Sequence, residues 1–343
     1  MSYRLQRTRP VVDSVRLIGQ QQARAARAAL SRPADREAQL EAVHQARTAL
    51  KKLRALLRLV EPAMGAAFAR EDETLRRLAR TLAPVRDAVV LLETIDRLRA
   101  DPAWTPARRE RKSTRARQRP ARLDRLRRKA KRDLQAAHAK LQRGRRLHRL
   151  SAALAKFERR AKHWQLVPAE EREGGWNLIA DGLTASYGRA AQGMATAVHG
   201  GADHDFHDWR SAIKTHAHQL RLLVDCGRVE LLPRLKGLDE LGRLLGQDHD
   251  LAKCAQLLHD KPGWVPRASH RGALLSLLRD KQRGLRNRAF ALGDGLLAAS
   301  AADFALSVQR FWRVWRGVPQ PEAPRQPPRR PFATQAAIAG VDR

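Results

Sequence analysis

A self-similarity at a shift of 163 residues divides this 343-residue chain into two like halves. His44, Arg47, Lys51, Leu57, Arg58 and Leu59 return as His207, Arg210, Lys214, Leu220, Arg221 and Leu222. The register then runs on without a gap: Leu75, Leu78, Arg80, Leu82 and Asp87 return as Leu238, Leu241, Arg243, Leu245 and Asp250. Twelve of these 44 positions are identical, and Pro102, Trp104 and Pro106 recur as Pro262, Trp264 and Pro266 at a shift of 160, which implies a three-residue change in a loop. A tandem duplication obliges the fold to use one arrangement of elements twice.

That arrangement is helical. Ala, Leu and Arg fill long runs of 3.6-residue period between Pro and Gly breaks, aromatic residues are only 5% of the chain, and no alternating pattern marks a strand. The fold class is all-α: a first helical-bundle repeat over 1–168, a second over 169–316, with the boundary near 164–175, and a Pro-rich, extended, mobile tail over 317–343. In the first half, helices are expected over about 10–30, from the N-cap Asp35 to the stop at Pro62, over about 64–82, and, after an interruption at Pro84, over about 87–98. Between Pro106 and Arg149 stand 19 Lys or Arg against three acids, yet Leu123, Leu126, Leu134, Leu141, Leu147, Leu150 and Leu154 keep a helical period, which predicts a helix with a charged outer face. The second half repeats the order, with helices over about 176–198, from the loop at 200–203 to about 226, and over about 231–245, 250–258, 268–290 and 296–315. Trp104 and Trp264, each between prolines, read as anchors plugging a bundle end.

The stretch from His44 to Val60 carries the chemistry. His44, Arg47, Lys51, Arg54 and Arg58 fall within roughly an 80° arc of one helix face, and Val43, Leu50, Leu53, Leu57 and Val60 form the neighbouring apolar face. Like charges at i,i+3 and i,i+4 repel by a few tenths of a kcal/mol each, so such a ridge is costly unless an anion meets it. A solvated charged face is the competing reading, and the second copy, His207, Arg210, Lys214 and Arg221, weighs against it. The net charge of +33 and pI near 11.6 point the same way, towards a polyanionic partner. Codon usage in a high-GC genome explains the choice of Arg over Lys but not the excess of positive charge. An imidazole beside Arg47 and Lys51 is expected to be biased towards its neutral form until an anion binds.

Other chemistries fit less well. His204, Asp205, His207, His216, His218 and the run Asp248, His249, Asp250 invite a metal, but His216 and His218 point about 160° apart on a helix and the first copy lacks the extra ligands. His249 with Asp250 resembles a hydrolase dyad that nothing completes. The reading is therefore no metal, no cofactor and no enzyme. Cys226 and Cys254 have no CxxC spacing, no leader is visible and no apolar run approaches membrane length, so a cytoplasmic protein away from membranes is expected.

The HxxRxxxKxxRxxxR ridge with its second copy resembles the CHAD family, the conserved histidine α-helical domain, over roughly 10–316. In the second copy Tyr187, Arg189, His207, Trp209, Arg210, Lys214, Gln219 and Leu220 match the family's YxR and HxWRxxxKxxxxQL patterns. The resemblance implies two pseudo-twofold related helical bundles around a basic groove that binds inorganic polyphosphate, with location at polyphosphate granules. Many relatives carry a triphosphate-tunnel (CYTH) domain; this sequence shows no ExExK, so a stand-alone form is expected. The family's LGxxRDxD element is altered to LAPVRDAV at 82–89 and LGQDHDLA at 245–252, leaving Asp87 and Asp250 to orient a basic partner. On this reading His44, Arg47, Lys51, Arg54, Arg58, Tyr187, Arg189, His207, Arg210, Lys214 and Arg221 bind polyphosphate. A nucleic-acid-associated protein, with weak non-specific binding, is the alternative, and an enzyme or adaptor in polyphosphate metabolism a third.

Overall fold

The computed structural model describes residues 3–31, 35–101, 114–168 and 170–319. Trp104 with its two prolines, and the tail from 320 onward, lie outside the described residues. Helix α1 spans Val11–Ala29, α2 Arg36–Leu59, the single turn α3 Glu61–Met64, α4 Ala66–Ala100, α5 Thr114–Gln142 and α6 Arg146–Ala161. The second half gives α7 over Ala180–Gly200, α8 over Asp203–Leu223, α9 over Arg228–Asp260, α10 over Ala268–Leu296 and α11 over Ala301–Arg316. Among the described residues there is no strand.

Local signals start and stop these helices. Asp35 accepts a hydrogen bond from the Ala38 amide at 2.8 Å and so caps α2. At α8 the Asp205 carboxylate reaches back to the Ala202 amide at 3.0 Å. The basic segment is helical in α5, with Leu123, Leu126, Leu134 and Leu141 buried, and continues in α6 with Leu150 and Leu154 buried.

One expectation fails twice in the same way. The helix does not break at Pro84: α4 is continuous over 35 residues, and α9 is likewise one helix of 33 residues where two were expected. Proline removes one i→i−4 bond and crowds the preceding turn, yet tertiary packing on both sides overrides that cost. Arg47 of α2 donates to the Ala79 carbonyl at 2.9 Å, one residue before the Arg80 carbonyl whose helical donor Pro84 removes. In α9 the proline, Pro233, is the sixth residue, inside the helix, which runs on through it.

The halves place their helices in the same order of neighbours. In the first, α6 packs on α1, α1 on α2, α2 on α4 and α4 on α5; in the second, α11 packs on α7, α7 on α8, α8 on α9 and α9 on α10. Between halves α2 meets α8 and α4 meets α9, so each of these helices touches its own counterpart. One hydrophobic core runs through both halves, from Leu53, Leu56 and Leu57 to Leu183, Leu220 and Leu245. A second cluster joins the far ends of α4 and α9 through Ile95, Leu98, Leu126, Leu251, Leu258 and Trp264. The two repeats of the sequence are thus not two separate cores.

Where α7 crosses the end of α2 the approach is very close. A Cβ at Gly182 would lie 1.9 Å from the Leu59 carbonyl oxygen, whereas one at Gly284, inside α10, would meet nothing. Gly182→Ala should destabilise the protein by about 1–3 kcal/mol or more through overpacking against backbone, while Gly284→Ala should be neutral or stabilise by up to about 1 kcal/mol through helix propensity. Urea midpoints of the two variants check this, and equal midpoints would refute the close crossing.

Candidate functional site

The two ridges face each other across a single cleft of about 1130 Å³. From α2 it takes His44, Arg47, Lys51 and Arg54; from α8, His207, Arg210 and Lys214. The flanking long helices complete the walls, α4 with Arg86 and Arg97 and α9 with Arg243, His249 and Lys253. The apolar faces of α2 and α8 lie on the opposite side, in the shared core, where Leu53, Leu56, Leu57 and Leu220 are fully buried.

Hydrogen bonds between the ridge helices set their spacing. Gln219 of α8, a buried residue, donates to the Ala55 carbonyl of α2 at 3.2 Å. Trp209 is buried, stacks on Phe290 with centroids 5.4 Å apart, and packs against the backbone at Gly193 and Gly293. It fixes the rotation of α8, so that His207 and Arg210 on either side of it are delivered to the cleft.

Two carboxylates of the cleft join its walls, while Glu93 pairs with Arg86 within α4. Lys253 of α9 pairs with Asp87 of α4 at 3.5 Å, and Arg97 of α4 pairs with Asp250 of α9 at 3.2 Å. Asp87 and Asp250 therefore each hold a cation of the other half. Asp248 is turned away from the cleft and bound by Arg286 at 2.7 Å, which ties α9 to α10. Four central cations are left without such a partner: among the described residues no ion pair reaches Arg47, Lys51, Arg210 or Lys214. The Nε of Arg47 and the Nε of Arg210, equivalent atoms of the two copies, are both buried with no hydrogen-bond acceptor.

Crowding of like charge shows in the titration of these groups. Burial between the cleft walls, reinforced by Lys214, Arg210, Arg47 and Arg86, pulls the Lys51 ammonium down to about 7. Lys214 is pulled to about 8 by burial and by Arg210, with Asp250 and Asp239 opposing. His207 is lowered by burial and then by Arg210, in the direction the sequence suggests for a ridge imidazole. Its Nδ1 lies 3.2 Å from Nδ1 of His249, which burial and Arg210 hold near 3, so one ring donates and the other accepts in a single hydrogen bond.

Four sequence candidates lie elsewhere. Tyr187 is corrected: it is buried, stacks on Phe304 at 4.5 Å and donates its hydroxyl to the Ala299 carbonyl at 2.9 Å, so it holds α7 against α11 and does not reach the cleft. Arg221 is tied to Asp239 by contacts of 2.6 and 2.7 Å. Arg58 and the exposed Arg189 sit close enough to repel each other, outside the cleft lining. The reason is axial: an offset of fourteen residues keeps a side chain on the same face but carries it about 21 Å along the helix. Arg54 lines the cleft while pairing with Asp72 at 2.8 Å. Periodicity within one helix could not reveal Arg86, Arg97, Arg243, His249 and Lys253. The available signal was the aligned RD and HD pairs at 86–87 and 249–250.

The histidines considered for a metal do not converge on one point: His207 and His249 bond to each other, and the others lie elsewhere. His216 is buried against Ser186, 2.9 Å from its hydroxyl, and His218 bonds to Arg221. Among the described residues no group of three His, Cys, Asp or Glu is placed to hold an ion. No single helix among them is long and apolar enough to cross a membrane.

A family model for the CHAD domain matches residues 18–259. The chain belongs to the CHAD family. Among solved structures it is similar to PptA from Streptomyces chartreusis, with a TM-score of 0.59 and 18% identity over 85% of this chain and 100% of that one. It is also similar to the CHAD domain from the plant Ricinus communis, with a TM-score of 0.49 and 19% identity over 84% of this chain and 89% of that one. No curated protein matches. The CHAD motif residues of the second half thus divide by role: Tyr187, Trp209, Gln219 and Leu220 build the core, and His207, Arg210 and Lys214 enter the cleft.

The depressed lysines predict how stability depends on pH. Their folded-state pKa values of about 7 and about 8 lie below the ordinary 10.5, so between pH about 7 and 8.5 the unfolded chain binds more protons and stability rises with pH. Above that window Cys226 and Cys254, raised by burial to about 12, act in the opposite sense. The urea midpoint should increase across the window at low salt, and Lys51→Met should flatten the increase. A native midpoint that is flat or falls would contradict the crowded cleft.

Proposed function

We propose that this protein binds inorganic polyphosphate in the cleft without catalysing its turnover, and that this binding holds it at polyphosphate granules in the cytoplasm. One observation carries the reading: Arg47 and Lys51 of one copy and Arg210 and Lys214 of the other face one space and lack carboxylate partners. Guanidinium and ammonium donors at this spacing take successive phosphates by charge-assisted hydrogen bonds, with no dependence on sequence. The resemblance of the ridges to those of CHAD proteins supplies the identity of the anion. A bound chain also restores full protonation of Lys51 and Lys214.

Nucleic acid is the weaker reading. Single strands are gripped through bases stacked on aromatic side chains, and among the described residues the cleft lining has no Trp, Tyr or Phe. Long-chain polyphosphate should therefore outcompete DNA and RNA of matched charge in a competition titration; equal affinities would sink the preference. With about five phosphates neutralised and a slope of ~0.7 each, raising salt from about 50 to 200 mM should weaken binding by roughly 10²-fold. A flat salt response would sink the mechanism.

Because one ligand spans both ridges, their contributions are coupled. Arg47→Glu with Lys51→Glu, and Arg210→Glu with Lys214→Glu, should each lower affinity with native helicity retained. Combining them should show an interaction larger than the ~0.5 kcal/mol tolerance for independent sites. Strict additivity would instead indicate two separate sites.

A further inference from the structure

The basic segment of the first half has work to do outside the cleft. On the neighbouring face of α4 lies a second concavity of about 370 Å³, walled by Arg77, Arg80 and Pro84 of α4 and by Lys140, Leu141 and Arg146 of α5 and α6. Residues of α4 that line the cleft, Ala83, Arg86, Asp87 and Val90, and those that line this concavity fall on adjoining faces at about 100° per residue, so the body of the helix separates the two spaces. Arg80 pairs with Glu73, but Arg77, Lys140 and Arg146 are exposed and, among the described residues, have no ion pair.

The duplication supplies an internal control for what the fold needs here. The equivalent turn of the second half, between α10 and α11, is conventional: Ser300 accepts from the Asp303 amide at 3.1 Å, and an acid stands in the first turn of α11. The first half departs from this at every point. Its turn runs through Gly144 (φ +68°) and Arg145 (φ +57°), α6 has no side-chain cap, and its first turn holds Arg146 and Arg149 and no acid. Cations are thus gathered at the positive end of a helix, where they weaken the fold, and Arg145 takes a left-handed conformation that favours glycine. An anion lodged among Arg77, Lys140 and Arg146 offsets the first of these costs.

We propose that this patch is a second polyphosphate site, peculiar to the first half, so that one molecule holds two segments of polyphosphate and bridges chains. The identity of the ligand rests on the reading of the cleft given above. A concavity of about 370 Å³ has room for a short run of phosphates, and among the described residues no aromatic side chain lines it for base stacking.

Titration calorimetry with a short polyphosphate should find two chains bound per native protein and one per Arg77→Glu, Lys140→Glu, Arg146→Glu variant. Lys51→Glu with Lys214→Glu should also leave one. With long-chain polyphosphate, light scattering should report cross-linked assemblies for the native protein and soluble complexes for the triple variant. Melting curves, and the milder Gln versions of the same substitutions, separate loss of binding from loss of fold. A single chain bound by the native protein, or a triple variant that still binds two, overturns the proposal. Displacement of the short chain from the patch by duplex DNA of matched charge, as effectively as by polyphosphate, overturns it in favour of a nucleic-acid surface. If the triple variant loses one chain while the Lys51 and Lys214 variant loses none, the patch stands and the reading of the cleft falls.

Discussion

Repulsion between two facing rows of cations is the force this structure has to withstand, and it is withstood on the reverse side of the helices that carry the rows. Beyond the effect of burial, Lys214 of one half lowers the proton affinity of Lys51 in the other, and Arg210 and Arg86, one from each half, lower that of Lys214. Left to themselves, α2 and α8 would move apart. Burial of Leu53, Leu56, Leu57 and Leu220, the bond from Gln219 to Ala55, and the tight crossing of α7 at Gly182 keep them in contact. Each fully buried leucine contributes on the order of 1.5–3 kcal/mol, and the four named here share one core on the face opposite the cations.

The acidic residues add a second restraint at the rim. By pairing Asp87 with Lys253 and Asp250 with Arg97, α4 and α9 are joined across the halves by exposed or half-exposed ion pairs of modest strength. Their main effect is on charge. They neutralise cations at the edges of the cleft and leave those at its centre free, so the positive potential is focused where the two ridges come together.

How much of this could be read from the sequence depends on how local each feature is. The ridge helices, their caps and the duplication are patterns within one helix or one register, and the structure places His44, Arg47, Lys51, His207, Arg210 and Lys214 together as the repeat implies. The walls were not legible, because nothing in α4 or α9 alone tells which of their many arginines turn towards α2 and α8. Pro84 misled for a related reason: propensity is a local term, and the packing of α4 on α2 and α5 outweighs it. Tyr187 shares a motif with cleft residues but acts through the core, since motif membership records what a fold requires as well as what a ligand touches.

The paired sets of cations have a statistical consequence for a polymer of identical units. On the proposed reading, a cleft that takes phosphates and nothing between them would not distinguish one stretch of a chain from the next, so a long chain would occupy it in many equivalent registers. Each added register would raise the weight of the bound state without any new contact, and occupancy would then follow the number of phosphate units present more closely than the number of chains. A chain would also shift by one unit at a time, exchanging each phosphate for its neighbour, so that the protein would remain attached to a polymer while its position along it wandered.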